Sequence, residues 1–158
     1  MSKNLVVGIG EALVTGDDCA IIVTHALGSC VGIAAYDSKC RVGGILHYML
    51  PTLPNKKVTY EESWKYGEEA IPNFFKLLYK KGATKDSLRI VMAGGSELLG
   101  TTSLPIGRRN VVIAERLFKK NNVFIANEDT GGAKPRTLYL EMASGRVWTT
   151  TAGVAKDL

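Results

Sequence analysis

The chain has 158 residues, of which 46% are hydrophobic and 22% are charged, and its formal net charge is +5. This composition is typical of a globular protein, and the length favours one domain over residues 1–158 with a real hydrophobic core. The cysteines at positions 19, 30 and 40 form no CxxC pair. This speaks against a disulfide framework or a structural zinc site and indicates a reducing, cytoplasmic compartment.

Targeting segments, membrane helices and nucleic-acid patches are not predicted. The first apolar run ends by residue 11, too early for the core of a signal peptide. No apolar stretch approaches the roughly 20 residues of a membrane-spanning helix. Basic pairs at 56–57, 80–81, 108–109 and 119–120 are spread along the chain without interleaved aromatic residues. They form either a solvated face or a surface that attracts an acidic macromolecule.

The first third of the chain is predicted to be β-rich. Residues 4–9 and 19–25 are predicted strands, and residues 11–18 are a loop or a short edge strand. The apolar runs 30–36 and 41–50 flank a turn signal and predict an antiparallel hairpin. A turn centred on Ser38 and Lys39 places Cys30 opposite His47, and a bulge at 43–44 would shift this register by one residue.

The rest of the chain combines helices and strands. Thr59 and Glu62 form a capping box for a helix that ends near Gly82 and that Pro72 should kink or split. A strand at 88–92, a helix from Ile106, a strand at 123–127 and a hairpin of 137–142 with 146–151 follow, and the tail 152–158 carries no prediction. The pattern predicts an α+β domain with mixed, mostly antiparallel sheets and two main helices covering one face.

The candidate functional site is the small-residue turn LGSC at 27–30. Gly28 and Ser29 carry little bulk, so backbone N–H groups can converge beside the Cys30 thiol and stabilise an oxyanion. Cys30 is then a nucleophile activated by His47, and the alternative is that Cys30 is a buried apolar filler. Strand alternation places His25 on the face opposite Thr24.

Neither a nucleotide site nor a metal site is predicted. The glycine pair 94–95 precedes a helix but lacks the GxGxxG and GxxxxGK[ST] patterns, and the two histidines do not combine with the cysteines in a recognised zinc spacing. We therefore expect no cofactor.

Five stretches together resemble the CheD family of chemoreceptor glutamine deamidases. They are LGSCV at 27–31, the glycine pair 43–44 with HYMLP at 47–51, the glycine pair 94–95, Ile106-Gly107 with Asn110, and DTGG at 129–132 with Arg136. The resemblance runs from about residue 8 to residue 149. It implies a layered α/β/β sandwich related to toxin deamidases.

The resemblance also implies a reaction, a site and partners. The reaction is hydrolysis of selected glutamine side chains to glutamate on methyl-accepting chemotaxis receptors. By motif position Cys30 is the nucleophile, His47 the base and Thr24 the third member, which orients the imidazole through its hydroxyl or its carbonyl. A CheC-type phosphatase is the implied partner. The alternatives are a cysteine amidase or methylesterase with another substrate, and a non-enzymatic partner of the phosphatase.

Overall fold

The structure is a computed structural model that describes residues 1–99 and 104–158. Its elements in chain order are β1 (Lys3–Val6), β2 (Glu11–Thr15), β3 (Ala20–Leu27), β4 (Val31–Asp37), β5 (Val42–Tyr48), α1 (Tyr60–Ser63), α2 (Gly67–Lys80), β6 (Leu88–Gly94), α3 (Ile106–Lys120), β7 (Ile125–Thr130), β8 (Arg136–Glu141), β9 (Val147–Thr151) and β10 (Val154–Asp157).

The described strands form two five-stranded mixed sheets. The outer sheet has the order β1-β3-β8-β9-β10, and the central sheet has the order β2-β5-β4-β6-β7. Each sheet contains one parallel pair, β1 with β3 and β6 with β7, and its other pairs are antiparallel. The predicted mixed, mostly antiparallel sheets are confirmed.

The layers are stacked in the order helices, central sheet, outer sheet. Every residue of β4 and β5 is buried, as expected for strands that are covered on both faces. One face of the central sheet packs against α2 and α3, and the other face packs against β3, β8 and β9 of the outer sheet. The predicted α/β/β sandwich with two main helices is therefore confirmed.

The predicted first helix begins where its capping box placed it, but it breaks at a different point. Thr59 accepts from the N–H of Glu62, and the Glu62 carboxylate accepts from the N–H of Thr59. The helix then stops after Ser63, because the Lys65 carbonyl accepts hydrogen bonds from two N–H groups just beyond β5, at residues 49 and 50. Pro72 lies inside the continuous α2, so the prediction that it splits the helix is wrong.

Three other segments refine the predictions. Residues 11–15 form an edge strand, β2, which confirms one of the two interpretations given for 11–18. The tail, for which the sequence carried no prediction, contributes β10, which pairs with β9. The strand expected at 123–127 begins and ends later, as β7. Within the described residues, no helix combines the length and the apolar character that crossing a membrane requires.

Candidate active site

The space between the two sheets receives the three side chains singled out from the sequence. On β4 the odd-numbered residues pack toward the helices, so strand alternation turns Cys30, just before β4, toward the outer sheet. On β5 the even-numbered residues pack toward the helices, which turns His47 the same way. On β3, Ile22 points into the core between the sheets, and Thr24, two residues on, shares its face. Cys30, His47 and Thr24 therefore face one interlayer space.

The imidazole of His47 is held by a hydroxyl from the opposite sheet. His47 is 2% exposed, and its Nδ1 lies 2.6 Å from Oγ1 of the fully buried Thr24. The Thr24 hydroxyl donates its only hydrogen to the Val7 carbonyl at 2.7 Å. Oγ1 must therefore accept a hydrogen from Nδ1 of His47, which puts the ring proton on Nδ1 and leaves a lone pair on Nε2. The contact between Thr24 and the imidazole is thus made by the Thr24 hydroxyl.

Nε2 of His47 is buried and has no hydrogen-bond partner in the described chain. Burial lowers the pKa of His47 to about 4, and the nearby charge of Glu11, which lies opposite His47 on β2, acts in the other direction. The ring is thus neutral at neutral pH. The lone pair on this buried nitrogen is therefore free to accept a hydrogen bond from a group that enters the site.

The register of the β4–β5 hairpin differs from the predicted one. His47 lies opposite Gly32, not Cys30, because the connection is the four-residue loop 38–41 between Asp37 and Val42. The Asp37 carboxylate accepts from the N–H groups of residues 39 and 40, and Arg41 adopts a left-handed φ of 58°, which lengthens the turn. The prediction that the turn pairs Cys30 with His47 to within one residue is wrong, because the observed register differs by two residues. The shift equals two residues along one strand, so both side chains still share a face.

In this arrangement Cys30 and His47 are diagonal neighbours and not a direct cross-strand pair. Gly32 stands opposite His47 and contributes no side chain. A Cβ there would meet side-chain carbons of Leu27 and Leu138 at 3.0 Å and the Thr24 methyl at 3.4 Å. Diagonal neighbours on antiparallel strands are separated by about 7–8 Å between Cα atoms. Cys30 and His47 are not hydrogen-bonded to one another in this structure, and such contacts commonly tighten only with substrate bound.

Cys30 is half-buried, and its thiol is free. Burial raises its pKa, and a hydrogen bond from its own backbone N–H partly offsets that effect. The free protein therefore holds a neutral thiol beside a neutral imidazole. These pKa directions favour a resting thiol over a thiolate–imidazolium pair.

The turn before Cys30 is fixed by its carbonyl groups. The Gly28 carbonyl accepts from the Ser96 N–H at 2.8 Å, the Cys30 carbonyl accepts from the Gly95 N–H at 2.8 Å, and the Ser29 carbonyl accepts from the Asn110 side chain. Gly28 lies close to the exposed Leu98, since a Cβ there would lie 2.8 Å from Cδ1 of that side chain. With its three carbonyls bound to the scaffold, the backbone of the turn that carries the Cys30 thiol is held in place.

The second histidine and the other two cysteines lie outside this site. His25 is exposed on the opposite face of β3, as alternation predicted, and Cys19 and Cys40 are exposed and free. Among the described residues, Asp17, Asp18 and Cys19 are close enough to share an ion. However, Lys3 pairs with Asp17 and Arg41 pairs with Asp18. These carboxylates are already neutralised by cations, so the cluster is explained without a metal.

Three contributors to the site had no role assigned from the sequence, although Asn110 and Arg136 belong to the motifs named above. The Val7 carbonyl could not be found, because a backbone acceptor leaves no signature in sequence. Asn110 had a signal, since it is a polar residue on the otherwise apolar buried stripe of α3. Arg136 is 7% exposed and donates to the carbonyls of Gly94, Asp129 and Gly131, which ties the β7–β8 loop to the end of β6.

The fold and the site together define a class of protein. It is an α/β/β sandwich in which one thiol and one imidazole point into the space between the two sheets. A family model described as CheD chemotactic sensory transduction matches residues 49–151. The chain belongs to the CheD family.

Full-length relatives extend the match across the chain. The chain is 39% identical to the "Probable chemoreceptor glutamine deamidase CheD 1" of Syntrophus aciditrophicus over 155 residues, which cover 95% of each chain. It is 39% identical to a protein of Anaeromyxobacter dehalogenans called "Probable chemoreceptor glutamine deamidase CheD 2", covering 89% of this chain and 90% of that one. It is 38% identical to a similarly named protein of Pyrococcus abyssi, covering 93% and 91%.

One solved structure has a partial likeness to this chain. It is the Bacillus licheniformis hypothetical protein YfiH, at 12% identity and a TM-score of 0.48, with 75% of this chain and 49% of that chain covered.

Proposed function

We propose that this protein hydrolyses glutamine side chains of chemoreceptors to glutamate, with Cys30 as nucleophile, His47 as general base and acid, and Thr24 as the group that orients His47. The observation that carries the proposal is the position of the proton on the His47 ring. The Thr24 hydroxyl holds the ring proton on Nδ1, and an unpartnered lone pair on Nε2 faces the same interlayer space as the Cys30 thiol. The names of the relatives support the substrate.

The first half of the reaction forms a thioester. Nε2 of His47 takes the thiol proton as the Cys30 sulfur attacks the carboxamide carbon, and the carbonyl oxygen becomes an oxyanion. The Cys30 N–H, which belongs to the same residue as the attacking sulfur, is the backbone donor that this proposal assigns to that oxygen. The imidazolium then gives its proton to the departing nitrogen. The C–N bond breaks, and ammonia leaves.

The second half of the reaction consumes one water molecule. His47, neutral again, removes a proton from water as the water oxygen attacks the thioester carbon. The tetrahedral intermediate collapses, the C–S bond breaks, and Cys30 recovers its proton from His47. The net change is carboxamide plus water to carboxylic acid plus ammonia, with enzyme unchanged. Thr24 acts throughout by keeping Nδ1 protonated and the ring fixed, the role of the third member of a triad.

The surface beside the nucleophile suits a protein substrate and a protein partner. A cavity of about 390 Å³ adjoins Ser29 and is lined by apolar side chains including Leu98 and Leu99. These two leucines are 50% and 97% exposed, an apolar surface of the kind that marks protein contacts. We assign it to the receptor segment that carries the glutamine. A CheC-type phosphatase is the second partner in this proposal, and it would compete with the receptor if it used the same leucines.

The proposal places the reaction in the cytoplasm and treats residues 1–158 as one catalytic domain. Three free thiols support a reducing compartment. Alignment over 95% of a relative's length supports a single unit.

The test is mass spectrometry of a cytoplasmic chemoreceptor fragment after incubation with the wild-type protein, Cys30→Ala or Cys40→Ala. The matched control removes a free cysteine that is exposed and lies outside the site. Conversion of a few glutamines to glutamate by wild type and Cys40→Ala, but not by Cys30→Ala, is the expected result. Equal conversion by Cys30→Ala would refute the assigned nucleophile. Binding of receptor or phosphatase without any conversion would instead establish a non-enzymatic partner, and hydrolysis of glutamyl methyl esters alone would establish a methylesterase.

A further inference from the structure

Asn110 is a fully buried amide on the apolar face of α3. Its neighbours on that face are Val111, Ala114 and Phe118, so its polar atoms must find partners inside the protein. One turn earlier, α3 approaches the loop after β6 so closely that a Cβ on Gly107 would lie 2.4 Å from the Ser96 carbonyl oxygen. This close approach brings Asn110 against the end of the central sheet, where β4 begins and β5 ends.

The two hydrogens of the Asn110 amide go to two different strand ends. Nδ2 lies 2.8 Å from the Ser29 carbonyl oxygen and 2.9 Å from the Met49 carbonyl oxygen. Ser29 immediately precedes Cys30, and Met49 follows His47 by two residues. One side chain thus binds both the nucleophile segment and the segment of the base.

This bridge stands where the pairing of β4 and β5 ends. The last pair in the ladder is Val31 with Tyr48, and the next N–H, that of Met49, donates to the Lys65 carbonyl and so leaves the sheet. The two chains therefore diverge at the site. Tyr48 adds a second link, since its hydroxyl donates to the Asn110 carbonyl at 2.5 Å.

The bond to Ser29 also sets the direction of the Cys30 N–H. The Ser29 carbonyl and the Cys30 N–H belong to one planar trans peptide and point in opposite directions. With the carbonyl directed toward α3, the N–H points away from the helices, to the side on which the Cys30 thiol packs against the interlayer core. Oδ1 of Asn110 has no partner in the described chain, so both donors of this amide are used and its acceptor is not.

We propose that Asn110 is a positioning residue for deamidation, which fixes the spacing between the Cys30 turn and the end of the His47 strand and directs the Cys30 N–H at the reacting oxygen. It does not touch substrate. The inference rests on the proposed function, in which Cys30 and His47 share one reaction. Asn is suited to the position because it offers two donors from one short side chain, whereas Asp offers none and Ser offers one.

The test compares Asn110→Ala and Asn110→Ser with the control Asp37→Asn. Asp37 is also buried and hydrogen-bonded, but it lies at the opposite end of β4. The readouts are kcat and KM on the receptor fragment well below each melting temperature, and the pH dependence of Cys30 alkylation. We expect Asn110→Ala to lower kcat about 100-fold at unchanged KM, because misplacement by about 1 Å has that effect. Asn110→Ser should recover part of the loss.

The alkylation measurement follows the ionisation of the Cys30 thiol and needs no receptor fragment. Loss of the Asn110 amide should move the alkylation midpoint of Cys30 to higher pH, since its own N–H no longer faces the sulfur, while Asp37→Asn should leave both the midpoint and kcat unchanged. The proposal would be overturned if Asn110→Ala folded and kept the wild-type kcat. It would also be overturned if the losses of kcat followed the melting temperature equally in all variants, or if neither Asn110 variant folded. Absence of deamidation by wild type would defeat the proposed function, and a midpoint shift would still identify Asn110 as the residue that orients Cys30.

Discussion

The buried imidazole of His47 should make the protein lose stability in mild acid. Its pKa is lowered from 6.5 to about 4 by burial. Between those two values the unfolded chain binds a proton on this ring that the folded protein does not, so stability rises with pH across the window. The stability that the neutral, buried ring contributes to the free energy of unfolding is fully present above pH 6.5, and it is lost as the pH falls toward 4. At 1.36 kcal/mol for each pH unit, the whole shift corresponds to about 3 kcal/mol.

The assay is urea denaturation of wild type and His47→Gln at pH 7 and pH 4.5. Gln has no titrating ring, so the difference between the two proteins isolates His47 from the carboxylates and from His25. We expect wild type to lose about 2 kcal/mol more than His47→Gln between these pH values. Parallel losses in the two proteins would show that His47 titrates near its ordinary value. The description of a desolvated, neutral base would then fail.

Three further outcomes follow from the site and its surroundings. Thr24→Val should reduce kcat by about 100-fold and Thr24→Ser by less than about fivefold, because serine keeps the hydroxyl that holds Nδ1 of His47; steady-state kinetics on a receptor fragment decides this, and equal losses would exclude the hydroxyl as the orienting group. Cys30 should react with iodoacetamide at pH 7 more slowly than the exposed Cys19 and Cys40, because burial raises the pKa of Cys30; peptide mass spectrometry measures the rates, and a faster Cys30 would indicate a resting thiolate. Asp37→Asn should cost about 1–3 kcal/mol in the free energy of unfolding, because the carboxylate accepts from four donors of two loops and asparagine cannot; calorimetry tests this, and an unchanged melting temperature would contradict it.

Local sequence determined the elements and the faces of the site. β-branched runs indicated the strands, the Thr59 capping box fixed the start of a helix, and alternation separated Thr24 from His25. These features depend on a few consecutive residues, so they can be predicted without knowing the fold. The same alternation put Cys30 and His47 on one face even though the hairpin register was wrong, because the error equalled an even number of residues.

Only the tertiary structure decided how the site residues meet. The register was set by the four-residue connection 38–41 between β4 and β5, a length that the turn residues alone did not reveal. The Thr24–His47 contact crosses from the outer sheet to the central sheet, and the acceptor that sets its direction is the Val7 carbonyl. Desolvation of His47, which lowers its pKa, arises from both layers together. Such contacts join residues far apart in the chain, and the packing of the layers brings them together.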